Sequence, residues 1–266
     1  AGTSLCGQAI TDSVLVIAGS NWKDYKIMDN GDRIRLQPGI IGGLANGYLA
    51  PFGRKIGPDP ASINAAMIGG IAAHNASGMC CGTSQNSYRT VSSMRIILHD
   101  GTLLDTGDPH SRKRFCKTHP KLVADIENLG RKVKDNPVLT DRIRRKFKIK
   151  NTTGYSLNAL VDFEDPIDIF VHLMIGSEGT LGFISEIVYN TVIEHPHKAS
   201  ALMIFPHIEN ACTAAAILTQ EPVAAAELMD RASLRSVENN QGIPSYFKTL
   251  SATTTALLVE TRAHTA

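Results

Sequence analysis

No stretch of the sequence approaches the ~20 consecutive apolar residues that a membrane-crossing helix needs, which excludes a transmembrane helix. Cysteine is scarce: Cys6, Cys80, Cys81, Cys116 and Cys212 are odd in number and never fall in a CxxC spacing. That pattern argues against a zinc ribbon or a disulfide scaffold and fits a reducing compartment. The N-terminus lacks a charged segment leading into an apolar one, so no secretory leader is expected, and Asn75-Ala-Ser77 and Asn151-Thr-Thr153 read as chance glycosylation matches. A Walker A loop, a GxGxxG fingerprint, a GxSxG elbow and an HExxH pair are all missing. P-loop nucleotide hydrolysis, Rossmann dinucleotide binding, serine hydrolysis and zinc proteolysis therefore have nothing to carry them. What remains is a globular composition, 43% hydrophobic and 20% charged, with 266 residues to build one large domain or two smaller ones.

The most informative stretch is Gly57 to Gly82, GPDPASINAAMIGGIAAHNASGMCCG. Small side chains let backbone come close to a flat, phosphate-bearing ligand, because glycine has no Cβ to hold it off. The stretch reads as a cofactor cradle; the alternative is a tightly packed small-residue helix with ordinary turns. Ser62, Asn64, His74, Asn75 and Ser77 would need hydrogen-bond partners wherever they are buried. A second glycine loop, Gly176-Ser-Glu-Gly-Thr-Leu-Gly182, has glycine at every third position. With no Walker lysine, phosphates would be held by backbone N–H groups of several loops, Gly2, Gly7, Gly82 and Gly176 among the candidates. His74 is the one histidine placed inside the cradle, and Glu178 reads as an orienting carboxylate accepting backbone N–H groups rather than a base. Cys80-Cys81 read as small packed residues, and His195-Pro-His197 has no neighbouring ligand to complete a metal site.

Local patterns predict strands at Ser13 to Ala18, buried, and at Arg33 to Gln37, then helices over Ile40 to Phe52 and Asn64 to His74. Asp100-Gly101 predicts a hairpin between Thr90 to Leu98 and Thr102 to Asp105. Helices are predicted over Lys121 to Lys134, Val138 to Lys148, Leu157 to Val161 and Pro166 to Met174, and a long strand over Phe183 to Ile193. Beyond a composition change at His195 to Lys198 the order is strand 202–205, helix 209–218, strand 223–229, helix 232–238 and strand 255–261, an α+β layer. Both ends look cut, so a piece of a longer chain is expected. The net charge of +2 hides an uneven spread: residues 108–150 hold fourteen Lys/Arg against five Asp/Glu. Such a block suits an anionic neighbour, or is a solvated helical insertion. Nucleic acid is the competing partner, although only Phe115 and Phe147 accompany the charges, and no nucleic acid is expected.

Several pieces in order resemble the vanillyl-alcohol-oxidase-type, PCMH-type FAD-binding flavoproteins, in particular D-lactate and D-2-hydroxyglutarate dehydrogenases. They are Gly2-Thr3-Ser4-Leu5 with Gly7-Gln8, Pro58-Asp59-Pro60, Ile68-Gly69-Gly70 with Asn75-Ala76-Ser77-Gly78, Asp100-Gly101-Thr102, Asn151 to Tyr155, and Gly176 to Gly182. The resemblance implies an α+β fold: a second FAD-binding subdomain over 1–194 with a basic helical insertion at about 109–150, then the start of an oxidase cap over 199–266. By the same resemblance Thr3, Ser4 and Gly7 belong to the pyrophosphate loop, and Pro58, Gly69, Gly70, Asn75, Ser77 and Gly78 to the wall along the cofactor. Gly179, Gly182 and Ile184 would line it from the second loop. The implied reaction is oxidation of a D-2-hydroxy acid by hydride transfer to FAD, with no catalytic residue or metal ligand assigned within this stretch. The insertion is similar to that of large members fused to an iron–sulfur module, whose cluster would lie outside this chain. FAD retention by this stretch alone is expected to be weak, because the opposite wall belongs to missing N-terminal parts. The expected location is the cytoplasm, with an electron acceptor and peripheral attachment at the inner membrane as the finer expectation. A non-catalytic scaffold with a degenerate cleft is the remaining alternative.

Overall fold

A computed structural model describes residues 1–4, 7, 10–152 and 154–265, which fall into two compact units, Ala1–Glu194 and His195–Ala266. Leu5 and Gln8, quoted for the first glycine motif, and Thr153 lie outside the described residues.

In the first unit, β1 (Tyr25–Met28), β2 (Arg33–Leu36), α1 (Gly42–Leu49) and β3 (Arg54–Ile56) lead to α2 (Ile68–His74), α3 (Ser87–Thr90), β4 (Val91–Ile97) and β5 (Leu103–Asp105). Three helices follow, α4 (Pro109–Thr118), α5 (Pro120–Lys134) and α6 (Pro137–Lys146), then α7 (Ala159–Asp162), α8 (Pro166–Met174) and β6 (Phe183–Ile193). The sheet runs β1-β2-β6-β4-β5, with β3 pairing the far end of β6, and every pairing is antiparallel. Strand β6 is its centre because its alternating apolar residues, Ile187 and Tyr189 among them, bury one face against Ile34, Met94 and Ile96. Tyr189 is fully buried and its hydroxyl meets the Ser87 hydroxyl at 2.8 Å, which satisfies the polar atom that this side chain takes inside.

Two predicted elements are corrected. Residues 13–18 form no strand: Val14, Val16 and Ile17 are exposed, Val14 by 90%. β-branched composition makes a strand only where a ladder partner exists, and among the described residues none pairs with this run. Helix α2 starts at Ile68 instead of Asn64, because Met67 forms an antiparallel bridge with Ile41 and the Ile68 N–H donates to the Ile40 carbonyl at 2.8 Å. That bridge holds Met67 in extended backbone, so residues 61–65 turn without joining the helix. Helix α4 was not foreseen; Pro109 opens it and the Asp108 side chain accepts the His110 N–H at 2.9 Å, a proline-at-N1 start with a side-chain cap.

The second unit contains β7 (His197–Phe205), α9 (Ile208–Leu218), β8 (Ala225–Met229), α10 (Arg231–Val237) and β9 (Thr255–Ala263), with the sheet in order β7-β9-β8. Ala211 of α9 packs on Leu257 and Val259, while Leu234 of α10 packs on Ala256 with Phe247. The rings of His195 and His264 meet at 4.5 Å, and among the described residues no group of three metal-ligating side chains exists. No helix among the described residues is long and apolar enough to cross a membrane.

Candidate functional site

The C-terminal end of α2 is where the sequence motifs meet. A helix leaves its last carbonyls without intrahelical partners, and here the two glycine loops supply them. Asn75 turns into the left-handed region (φ 52°), and its N–H and that of Ala76 return to the Ala72 and Ile71 carbonyls. From the second loop, Gly176 donates to the Ala72 carbonyl at 3.2 Å and Glu178 donates to the Ala73 carbonyl at 2.9 Å. The Glu178 carboxylate then pairs with Nδ1 of His74, the last residue of the helix. Glu178 thus orients a side chain across the junction, and the expectation that its carboxylate would accept backbone N–H groups is corrected.

The other motifs attach to this junction. Pro58 and Pro60 flank Asp59, whose Oδ1 accepts the N–H groups of Gly78 and Cys81 at 2.9 and 3.2 Å, while Oδ2 accepts that of Cys80 at 3.0 Å. These amides form an anion nest, and the protein's own carboxylate fills it. They are therefore not open to a phosphate, although Gly78 stands in the expected wall. Asp59 is the residue that sequence reasoning quoted but gave no task; an aspartate between two prolines, each with its neighbour pressed into extended backbone, was the available signal. Burial and the Asp59 carboxylate both push the Cys81 thiol up from its ordinary value. Asn75 is buried and its Oδ1 accepts the Tyr88 N–H at 3.3 Å. Tyr155 and Thr180 join hydroxyl to hydroxyl at 2.6 Å, Ser156 donates to the Ile175 carbonyl at 2.7 Å, and Lys150 donates to the Gly78 carbonyl at 3.0 Å.

The cradle glycines differ in what demands them. A Cβ on Gly69 would stand 2.7 Å from Cβ of Pro38, and one on Gly78 would stand 1.7 Å from the Asp59 carbonyl oxygen. A Cβ on Gly182 would crowd Ile96 and the Ile97 carbonyl at 3.0 and 3.1 Å, and Gly179 has φ 76°. Gly70 is different. It lies inside α2, its φ is not positive, and among the described residues no atom outside its own helix lies within 4 Å of where a Cβ would stand. Glycine there costs about 1 kcal/mol of helix propensity relative to alanine, and no contact among the described residues asks for it. The room it leaves suits a ligand laid against α2. Ser177, in the second loop, is buried with a hydroxyl that has no partner among the described residues.

Of the remaining expected residues, Pro58 is buried beneath the Asp59 nest, Ser77 donates to the Asn75 carbonyl at 3.1 Å, and the Ile184 side chain lies in the sheet core. Thr3 and Ser4 are exposed and Gly7 takes φ 77°; the α-amino group of Ala1 reaches Sδ of Met67 at 3.9 Å, which brings this end to the N-terminal side of α2.

Residues 1–107 match a family described as FAD binding domain, and residues 194–266 match one described as FAD linked oxidases, C-terminal domain. D-2-hydroxyglutarate dehydrogenase of Pantoea ananatis is 29% identical over 201 residues, 70% of this chain and 18% of that protein. Mitochondrial D-lactate dehydrogenase [cytochrome] 1 of Saccharomyces cerevisiae is 26% identical over 251 residues, 90% of this chain and 33% of that protein. Glycolate oxidase subunit GlcD of Escherichia coli is 25% identical over 243 residues, 90% of this chain and 38% of that protein. The chain therefore spans about a fifth to two fifths of the length of these relatives. Among solved structures, alkyldihydroxyacetonephosphate synthase superposes with TM-scores of 0.53 and 0.55 in two crystal forms, at 16% and 15% identity, over 91% of this chain and 36% of that one. That likeness shows the α+β fold. Two family matches lie on either side of the helical block, one to an FAD binding domain and one to the C-terminal domain of FAD linked oxidases, and the motif loops fold together at one helix end.

Proposed function

We propose that the protein containing this chain oxidises a D-2-hydroxy acid, D-2-hydroxyglutarate or D-lactate, using FAD held against α2 and the two glycine loops. In this reading residues 1–194 are the FAD-binding domain with a helical insertion, and residues 199–266 are the start of an oxidase cap domain. The observation that carries it is Gly70, a helix-interior glycine that no contact among the described residues explains, beside a family match to an FAD-binding domain. The names of the relatives, two of them dehydrogenases of D-hydroxy acids, support the substrate class.

Bound FAD would supply the acceptor for the hydride leaving Cα of the substrate. The chain's own residues would do the holding. Gly69, Gly70, Asn75, Ser77 and Gly78, behind Pro58, would form one wall, and Gly179, Gly182 and the backbone at Ile184 the facing loop. Thr3, Ser4 and Gly7 would lie along the pyrophosphate, where backbone N–H dipoles suit a spread negative charge. The His74 and Glu178 pair fixes the distance between wall and loop. Electrons would pass to an acceptor at the membrane, in the large members through an iron–sulfur cluster outside this chain, and the protein would work in the cytoplasm or at the inner membrane surface.

The test is the whole protein, purified without added flavin. It is expected to be yellow, and to reduce a dye acceptor with a D-2-hydroxy acid but not with the L enantiomer. A colourless protein that takes up no FAD on titration overturns the proposal.

A further inference from the structure

Helices α4 to α6 lie between the two family matches, and the proposed chemistry gives them no task. They are fixed to the first unit, since Phe115, Ile126, Val133 and Ile143 share the buried cluster of the sheet. Helix α6 faces that core with Thr140 and Ile143, and Phe147 continues the stripe. Spacings of three and four put Val138, Arg142 and Arg145 on the opposite face.

Between Arg142 and Lys148 five cations, Arg142, Arg144, Arg145, Lys146 and Lys148, are all exposed. Within the described residues none of them makes an ion pair, whereas Arg112, Lys121 and Lys134 of the preceding helices do. Two aliphatic side chains are left bare at either end of the row, Val138 at 78% exposure and Ile149 at 66%. The helix macrodipole favours cations in the last turn, which accounts for Arg144, Arg145 and Lys146. It accounts neither for Arg142 nor for bare aliphatics amid charge. A single-stranded nucleic acid would call for aromatic stacking platforms, and the face has none.

Cations flanked by exposed aliphatic residues suit a surface that is anionic outside and apolar just beneath. We propose that the outer face of α6 and the turn that follows it seat the protein on an anionic lipid bilayer, with the cations at the headgroups and Val138 and Ile149 in the boundary with the acyl chains. Ile149 also lines a cleft with Asn75 and Asn151, so the face adjoins the cradle. The inference uses no cradle residue and stands or falls apart from the proposed oxidation.

The experiment is co-sedimentation of the whole protein with vesicles of phosphatidylcholine alone or of equal parts phosphatidylcholine and phosphatidylglycerol. Protein is expected to pellet with the anionic vesicles at low salt, to be released at high salt, and to stay in solution with the neutral ones. Arg142→Glu with Arg145→Glu should weaken binding by tenfold or more, since each cation near such a surface contributes about a factor of five. Val138→Asp, at an exposed position that leaves the charge row intact, should weaken it too while the melting temperature stays unchanged. Equal binding to neutral vesicles, no binding to anionic ones, or unaltered binding by both variants overturns the proposal. So does salt-sensitive binding to an RNA or DNA oligonucleotide without binding to vesicles.

Discussion

The Glu178 carboxylate meets Nδ1 of His74 across 104 residues of chain and joins the second glycine loop to the end of α2. Glu178 does so from φ 52°, a region that non-glycine residues enter at a cost of about 1 kcal/mol. Both side chains are about one third exposed, so the pair itself contributes no more than about 1 kcal/mol.

Two substitutions at this position separate pair from backbone. Glu178→Ala loses the pair and keeps the strained backbone, so it should melt below the wild type. Glu178→Gly loses the same pair but relieves the strain, so it should melt at or above Glu178→Ala. Thermal melts of the two variants side by side decide it; a glycine variant clearly less stable than the alanine one would show that the left-handed backbone carries no strain. Flavin affinity should fall in both, because the loop is no longer held to the helix.

Asp59 carries more. Its carboxylate answers three backbone N–H groups. A hydrogen bond to a buried charged acceptor contributes about 1.5 to 3 kcal/mol net, and less at a half-buried side chain such as Asp59, whose three bonds are not additive. Asp59→Ala is expected to cost about 3 kcal/mol in a denaturant titration. Asp59→Asn, which keeps Oδ1 as acceptor but sets an NH2 group against the Cys80 N–H, should cost a substantial part of that. A neutral Asp59→Ala would mean that water replaces the carboxylate at the nest.

How much of this was legible in the sequence depended on how local each cause is. The hairpin at Asp100-Gly101, helix α8 over Pro166–Met174, and β6 with its alternation all follow from neighbouring residues, and the structure has them as read. The start of α2 was misread because Ile41, 26 positions earlier, decides it through the bridge to Met67. The run at residues 13–18 has a strand's composition and no partner, which composition cannot reveal. The glycine motifs read as a cradle, and the structure brings the two loops together at the end of α2. That Asp59 would fill the nest from within, and that His74 would find Glu178, are distant pairings that spacing does not encode.

His172 gives the pH dependence. Its ring stacks on Phe163 at 3.9 Å, meets Tyr88 edge to face at 4.9 Å, and contacts the Asp168 carbonyl through Nδ1 at 2.7 Å. Burial pushes its pKa below the ordinary imidazole value of about 6.5. With a lowered pKa in the folded state, the unfolded chain binds more protons over the window between the two values, so stability rises with pH there. Read downward, stability is complete above about pH 6.5 and falls as pH drops toward the lower folded value. His172→Leu should flatten that part of the profile of denaturation midpoint against pH. A slope unchanged in the variant would assign the dependence to another group.

Gly70 offers the sharpest separation between a structural and a binding role. Alanine there gains helix propensity of about 1 kcal/mol and, among the described residues, meets no atom beyond its own helix, so the protein without cofactor should be as stable or more so. The space taken is the space argued to belong to the flavin. Gly70→Ala should therefore raise the melting temperature of the flavin-free protein and weaken FAD binding, and Gly70→Leu should weaken it further while folding normally. Fluorescence titration of FAD against each variant, with a melt of each flavin-free sample, measures both effects. Binding as tight as the wild type in Gly70→Leu would move the cofactor away from α2 and leave Gly70 without a function. A loss of stability in Gly70→Ala would show that the glycine answers to the fold after all.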